Sequence, residues 1–237
     1  MFSYHLAELP AAVGIRAMWH PPSAGDVPGL RHGEALAFMQ LASPTVSRQR
    51  MQVRRVAYFA RWDDEEALDR FLTRHPLGTA LADGWHVRMD FLRRFGALAC
   101  FPDLPGRSGS WVQDEPVVAV TLARLRLPEL PRFLRWGKPV ERLVVDHPGT
   151  ALALAAMRPP RHFSTFSLWR SVADMDAMVH GHGPDVPGPG GPVSAGVHTQ
   201  AMAEQRRRDF HLESAFMRFR PRSEHGSWRG RSGWLPT

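Results

Sequence analysis

The side chains able to do chemistry crowd into the last third of the chain. There His180 and His182 flank one glycine, His198 opens a helical stretch, and Arg206-Arg207-Arg208 precede Glu213 and the phrase AFMRF with Phe216 and Arg218. The His-Gly-His pair reads as a flexible loop, because no carboxylate at ligand spacing accompanies it. His198 by itself reads as a surface residue starting its helix, although an imidazole turned inward there would be a metal ligand. The arginine run reads as a solvated helix face. An arginine of that run turned inward would pair with Glu213 or clamp an anionic cofactor group, because a planar guanidinium holds a carboxylate through two bonds. Cys100 is the single cysteine and sits in the apolar run GALACF, so it reads as structural, and intramolecular disulfides and thiolate clusters are excluded. No GxSxG, GxxxxGK[ST], HExxH or GxGxxG occurs, which removes support for hydrolase, nucleotide-binding and zinc-protease chemistry.

These residues need a scaffold, and the composition supplies an ordinary one: 237 residues, 43% hydrophobic and 22% charged, despite 21 prolines. The formal charge of +7 rests almost wholly on arginine, with Lys138 the single lysine, a bias that GC-rich coding also produces. Arg218, Arg220, Arg222, Arg229 and Arg231 interleave with Phe219, Trp228 and Trp234, a pattern that raises nucleic-acid binding, but the expectation is no nucleic-acid partner. The N-terminal MFSYHLAELPAAVGIRAMWHPP has no basic start before an apolar core, and no run of about 18 apolar residues occurs. A cytoplasmic protein without a spanning helix is expected, with peripheral membrane contact still open.

Hydrophobic patterning predicts a strand over Ala12–Trp19, a short helix over GEALAFMQLAS and one or two strands over Val46–Trp62. A capping box of Asp63 and Glu66 then opens a helix carrying Leu68 and Phe71. A second helix over Thr79–Gly84 and a strand over WHVRMDFLRRFGALACF complete the first half. Residues 102–114, rich in proline and glycine, mark the boundary. Beyond it come the strand VVAVTLARLRL, a helix over Leu130–Gly137, the run TALALAAM, the strand FSTFSLW, a helix capped by Ser171 and Asp174, a Gly/Pro insert over 181–196, the helix of His198 and a last strand.

The second half repeats the first. Trp62 and Trp169, Phe59 and Phe166, Leu68 and Met175, and Phe71 and Met178 are all 107 residues apart, whereas His86 and His211, Phe91 and Phe216, and Arg93 and Arg218 are all 125 apart. The insert accounts for most of that difference. The symmetric placing of His86 and His211 suggests packing roles, and Trp62 and Trp169 read as core aromatics. Such a unit covers one sheet face with helices, and two units bury their bare faces together. The expected fold is therefore α+β, a duplicated ferredoxin-like repeat forming a dimeric α+β barrel-type single chain, with residues 1–105 and 106–237 as its two repeats.

The order FSTFSLWRS, then His198 three residues before Ala201, then the arginine run, FHLES, AFMRF and a final Gly226-x-Trp228, resembles the spheroidene monooxygenase family of carotenoid-modifying proteins over about residues 160–230. The resemblance implies oxygen-dependent oxidation of an apolar, polyene-like substrate. Haem is the implied cofactor, molecular oxygen the co-substrate and an electron-donor protein the implied partner. It carries over Ser164, Thr165, Trp169, Arg170, His198, Arg206, Arg207, Glu213, Phe216, Arg218, Gly226 and Trp228. Among these, His198 is the implied axial ligand, and Arg206 and Arg207 lie with it at the cofactor. Trp169, Thr165, Phe216, Glu213 and Arg218 line the implied substrate pocket. The insert over 181–196 departs from the family pattern and bears on substrate identity. The alternative is a non-catalytic small-ligand-binding protein of the same fold.

Overall fold

The computed structural model describes residues 1–44, 47 and 50–236. Its elements run β1 (Phe2–Glu8), α1 (Ala11–Trp19), β2 (Leu30–Met39), β3 (Gln52–Trp62), α2 (Glu65–Arg74), α3 (Pro76–Ala82) and β4 (Trp85–Ala97). The second half follows as β5 (Val117–Leu125), α4 (Leu130–Asp146), β6 (Thr150–Arg158), β7 (His162–Trp169), α5 (Val172–His180), α6 (Val197–Arg207) and β8 (His211–Gly226). The eight strands close into one barrel in the order β1-β3-β2-β6-β7-β5-β8-β4. Each half contributes four strands in the same order, β4-β1-β3-β2 and β8-β5-β7-β6, joined along antiparallel β2–β6 and β4–β8 seams. Asp90 lies directly opposite Arg220 in the second seam, and the flanking pairs repeat about it, Arg88 with Ser223 mirroring Arg93 with Arg218. The two-fold relation therefore matches β4 to β8 at a spacing of 130 residues rather than the expected 125, so Arg88 corresponds to Arg218, and His86 to Phe216 rather than to His211.

Five expectations need correction. Residues 11–19 form helix, not strand: Pro10 leads into α1, and Gly14 lets it lie so close to β3 that an added Cβ would meet the Val53 carbonyl at 2.7 Å. Residues 33–43 are not a helix, since β2 spans most of them. That strand is covered on both faces, with Leu36 and Phe38 in the barrel interior and Ala35 and Ala37 under helices, so the alternation that would reveal it is lost. The cap of α2 is Asp64, whose side chain accepts from the Ala67 amide at 2.8 Å, whereas Asp63 pairs with Arg31. With that change the caps Asp64 and Ser171 stand at the same spacing as Trp62 and Trp169. Helix α4 also runs past Gly137 through Pro139 to Asp146. The expected strand from Val46 begins at Gln52, and Val46 itself lies outside the described residues.

The barrel interior is filled by its own side chains. Phe2, Tyr4, Phe59, Phe166, Phe219 and Trp85 meet there, with Phe101 of the β4–β5 connection on one side and Trp228 of the C-terminal tail on another. Burial of this many aromatic side chains, at roughly 2–3 kcal/mol each, dominates the stability of the fold.

Candidate functional site

The outer faces of the two sheet halves differ. In the first half the middle of the outward face of the central strands is sealed under helices: Ser3, His5, Ala7, Val56, Tyr58, Ala60 and Trp62 are all buried, while Arg54 at the start of β3 is exposed. In the second half the corresponding face is only partly covered. Ala119 and Thr121 of β5, Thr165 and Ser167 of β7, Ala153 of β6, and Phe216 and Arg218 of β8 are all half-buried. Alongside, over β6, α4 keeps Phe133, Trp136, Val140 and Val144 half-buried, and Leu143 is its one wholly buried residue among those described.

Strand register sets these residues in two rows. Thr165 pairs with Thr121, which pairs with Phe216; Ser167 pairs with Ala119, which pairs with Arg218. Small side chains in the middle of both rows make this strip of the sheet a shallow, half-covered trough, on one side of which Ala119 packs against the α5 core. Its floor carries three hydroxyls, one aromatic ring and one guanidinium. Arg218 is fixed by Asp176 of α5 at 2.9 Å, so its charge is neutralised in place. The trough ends at Trp169, wholly buried, whose indole N–H donates to Ser167 Oγ at 2.8 Å while the ring packs on His147.

His198 sits on α6, in the helical layer. Its Nδ1 meets the Val179 carbonyl at 2.9 Å, which fixes the proton on Nδ1, and among the described residues nothing bonds Nε2. Burial lowers its pKa, with the Val179 carbonyl opposing and His180 assisting, so the ring is neutral at pH 7 and Nε2 offers a lone pair. Arg206 and Arg207 are exposed, and Arg207 pairs with Glu204 rather than Glu213. The insert over 181–196 folds back as a narrow turn, with Val186 and Val193 exchanging backbone hydrogen bonds and Val186 buried against the α5 core.

The structure does not place Glu213 with Thr165, Phe216 and Arg218. It lies on the opposite face of β8, at one end of the barrel interior, where its carboxylate accepts from the Ala99 amide at 2.8 Å. Strand parity in the sequence carried that signal, because 213 is odd where 216 and 218 are even. Around it is a polar cluster that sequence reasoning missed. Glu34, 2% exposed, is held by Arg124 at 3.1 Å and Arg158 at 3.6 Å, with His32 at 3.8 Å. Burial would raise the Glu34 pKa, but His32 and Arg124 outweigh it and hold the carboxyl at about 2. At 3.8 Å the His32 contact is too long for a hydrogen bond, so the arginine pairing is the firmer cause. Tyr4 and Ser164 are wholly buried beside this cluster, and neither hydroxyl completes a well-formed hydrogen bond.

Arg218, Arg220 and Arg222 each face a carboxylate, from Asp176, Glu115 and Asp90, so the basic edge expected on β8 is neutralised. Among the described residues no group of three or more His, Cys, Asp or Glu side chains could hold a metal ion, and no helix is long and apolar enough to cross a membrane.

No family model matches the chain. A spheroidene monooxygenase from Rubrivivax gelatinosus is 31% identical over 220 residues, covering 88% of this chain and 77% of that protein. A spheroidene monooxygenase from Rhodobacter capsulatus is 28% identical over 131 residues, 55% of this chain and 49% of that protein. The similarity thus reaches well beyond residues 160–230. Among solved structures, an aldoxime dehydratase in complex with butyraldoxime is 10% identical with a TM-score of 0.44, covering 93% of this chain and 78% of its own. A monooxygenase-like protein from Listeria innocua is 12% identical with a TM-score of 0.29, covering 92% and 93%. Both are too distant to speak to function.

Proposed function

The chain belongs to the spheroidene monooxygenase family, and on that premise we propose that it transfers one atom of molecular oxygen to a long apolar, polyene-like substrate lying over the second-half trough. The observation that carries this reading is the contrast between the halves: the middle of the sheet face is sealed in the first, whereas Ala119, Thr121, Thr165 and Ser167 stay half-buried in the second. Thr121, Thr165 and Ser167 are polar side chains left partly accessible on that face, where the equivalent first-half positions are fully buried.

The reaction balances as substrate C–H, oxygen, two electrons and two protons giving the hydroxylated product and water. The electrons come from a separate donor protein, and a cytoplasmic setting suits such an encounter. His198 is the residue that would hold haem iron: its imidazole is neutral, with Nδ1 bonded to the Val179 carbonyl and Nε2 unbonded among the described residues. Bound haem would supply a redox-active iron able to activate oxygen. His198 would hold it, with Arg206 at the surface of the same helix free to meet an anionic edge. The trough does the rest. A flat apolar chain would lie past Ala153, with Phe216 giving it an aromatic contact and the hydroxyls of Thr121, Thr165 and Ser167 orienting a polar end. Trp169 supports Ser167 through its indole N–H and acts as a positioning residue. Glu213 has no part in the trough.

The test is incorporation of label from ¹⁸O₂ into a polyene by the haem-loaded protein with an electron-transfer partner. One labelled oxygen atom per product supports monooxygenation. Label arriving from water, or a bound and unchanged polyene, would leave a binding protein of the same fold.

A further inference from the structure

Helix α1 is sealed on one side only. Gly14, Ala17 and Met18 are buried against the sheet, and at 100° per residue the opposite side carries Ala12, Ile15, Arg16 and Trp19. Trp19 is 56% exposed, Ile15 44% and Val13 38%. The patch extends past the helix. Gly14 rests on the Val53 backbone, and beside it the side chains of Val53 and Met51 are themselves exposed. Ile15 and Trp19, four residues apart, stand side by side on the exposed face with Arg16 beside them, whereas Val13 lies on the other flank of the helix. Cations flank them. Arg16 and Arg54 are exposed and face no carboxylate among the described residues, α1 contains no acidic residue, and Glu8, the acid just before it, is occupied by Arg55.

We propose that this face rests on an anionic lipid bilayer, with Trp19 and Ile15 entering the headgroup boundary while Arg16 and Arg54 meet lipid phosphates. Charge complementarity selects the partner: unpaired arginines beside an exposed indole suit an interface that is negative outside and apolar within, and the whole chain is positive by 7 charges. A second copy of this chain would bring the same unpaired arginines against each other. The inference is independent of the redox reading, since a haem-free chain presents the same face.

Flotation of the full chain with vesicles tests it, using phosphatidylcholine alone and phosphatidylcholine mixed with an equal part of phosphatidylglycerol. The wild type is expected to float with the anionic vesicles. Ile15→Ser with Trp19→Ser should weaken that binding by about tenfold or more. Arg16→Gln with Arg54→Gln should weaken it about thirtyfold on anionic vesicles and change little on neutral ones. All four positions are exposed, so the variants should melt within about 2 °C of the wild type. Brominated lipid should quench the wild-type fluorescence more than that of Trp19→Phe. Absence of wild-type binding to either vesicle would overturn the proposal, as would unchanged binding in both double variants. So would a dimer in solution that the Ile15/Trp19 variant dissolves, because the face would then be a contact between copies.

Discussion

Replacing Glu34 with Gln should destabilise the barrel by about 3 kcal/mol at pH 7, and the loss should fade in acid. Glu34 is a wholly buried carboxylate between Arg124 and Arg158, and His32 and Arg124, outweighing its burial, hold its pKa at about 2 against an ordinary 4.5. That depression is worth roughly 3 kcal/mol, the same size as the ~3–5 kcal/mol lost when one partner of a buried ion pair is removed. The folded pKa lies below the unfolded one, so the stabilisation is complete above about pH 5 and disappears as pH falls from 4.5 towards 2. Guanidinium unfolding of wild type and Glu34→Gln at pH 7, 5, 4 and 3 reads it directly. The gap between midpoints should be widest at pH 7 and 5, with melting temperatures about 6–12 °C apart, and should narrow at 4 and 3. A gap that is the same at every pH, or smaller than about 1 kcal/mol at pH 7, would refute the electrostatic account of this end of the barrel.

Two further outcomes follow from the architecture. Asp64→Ala should cost about 1 kcal/mol by removing the α2 cap, whereas Asp63→Ala, which loses only an exposed ion pair, should cost less than about 0.5 kcal/mol in the same unfolding assay. Thr121→Leu with Thr165→Leu adds methyl groups to an open trough, so stability should change by less than about 1.5 kcal/mol while polyene retention in a spectroscopic titration falls sharply.

Much of the fold could be read from residue order. The tryptophan-then-cap signature at Trp62 and Trp169 marks equivalent strand ends, because an aromatic closing a strand and a polar cap opening a helix are local requirements. Where a strand is buried on both faces, as β2 is, Ala, Leu and Glu read as helix formers and the period of two is invisible. Residues 11–19 failed for the opposite reason: two small residues, Gly14 and Ala17, make the inner face of α1, so the face that packs looks featureless while the exposed face is apolar. Strand parity puts Phe216 and Arg218 on one face of β8, whereas Thr165, Thr121, Ala119 and Ser167 come beside them only through cross-strand register, which residue order does not show. Glu34 was hidden for the same reason, since Arg124 and Arg158 reach it from strands far along the chain.

Haem titration of the purified chain, followed at the Soret band, tests most directly whether the second half holds a redox site built on His198. Saturation at one haem per chain is predicted for the wild type, with uptake lost in His198→Ala and retained in His86→Ala and His211→Ala, whose rings lie buried elsewhere in the sheet. A wild type that takes up no haem, or a His198→Ala variant with an unchanged band, would contradict it.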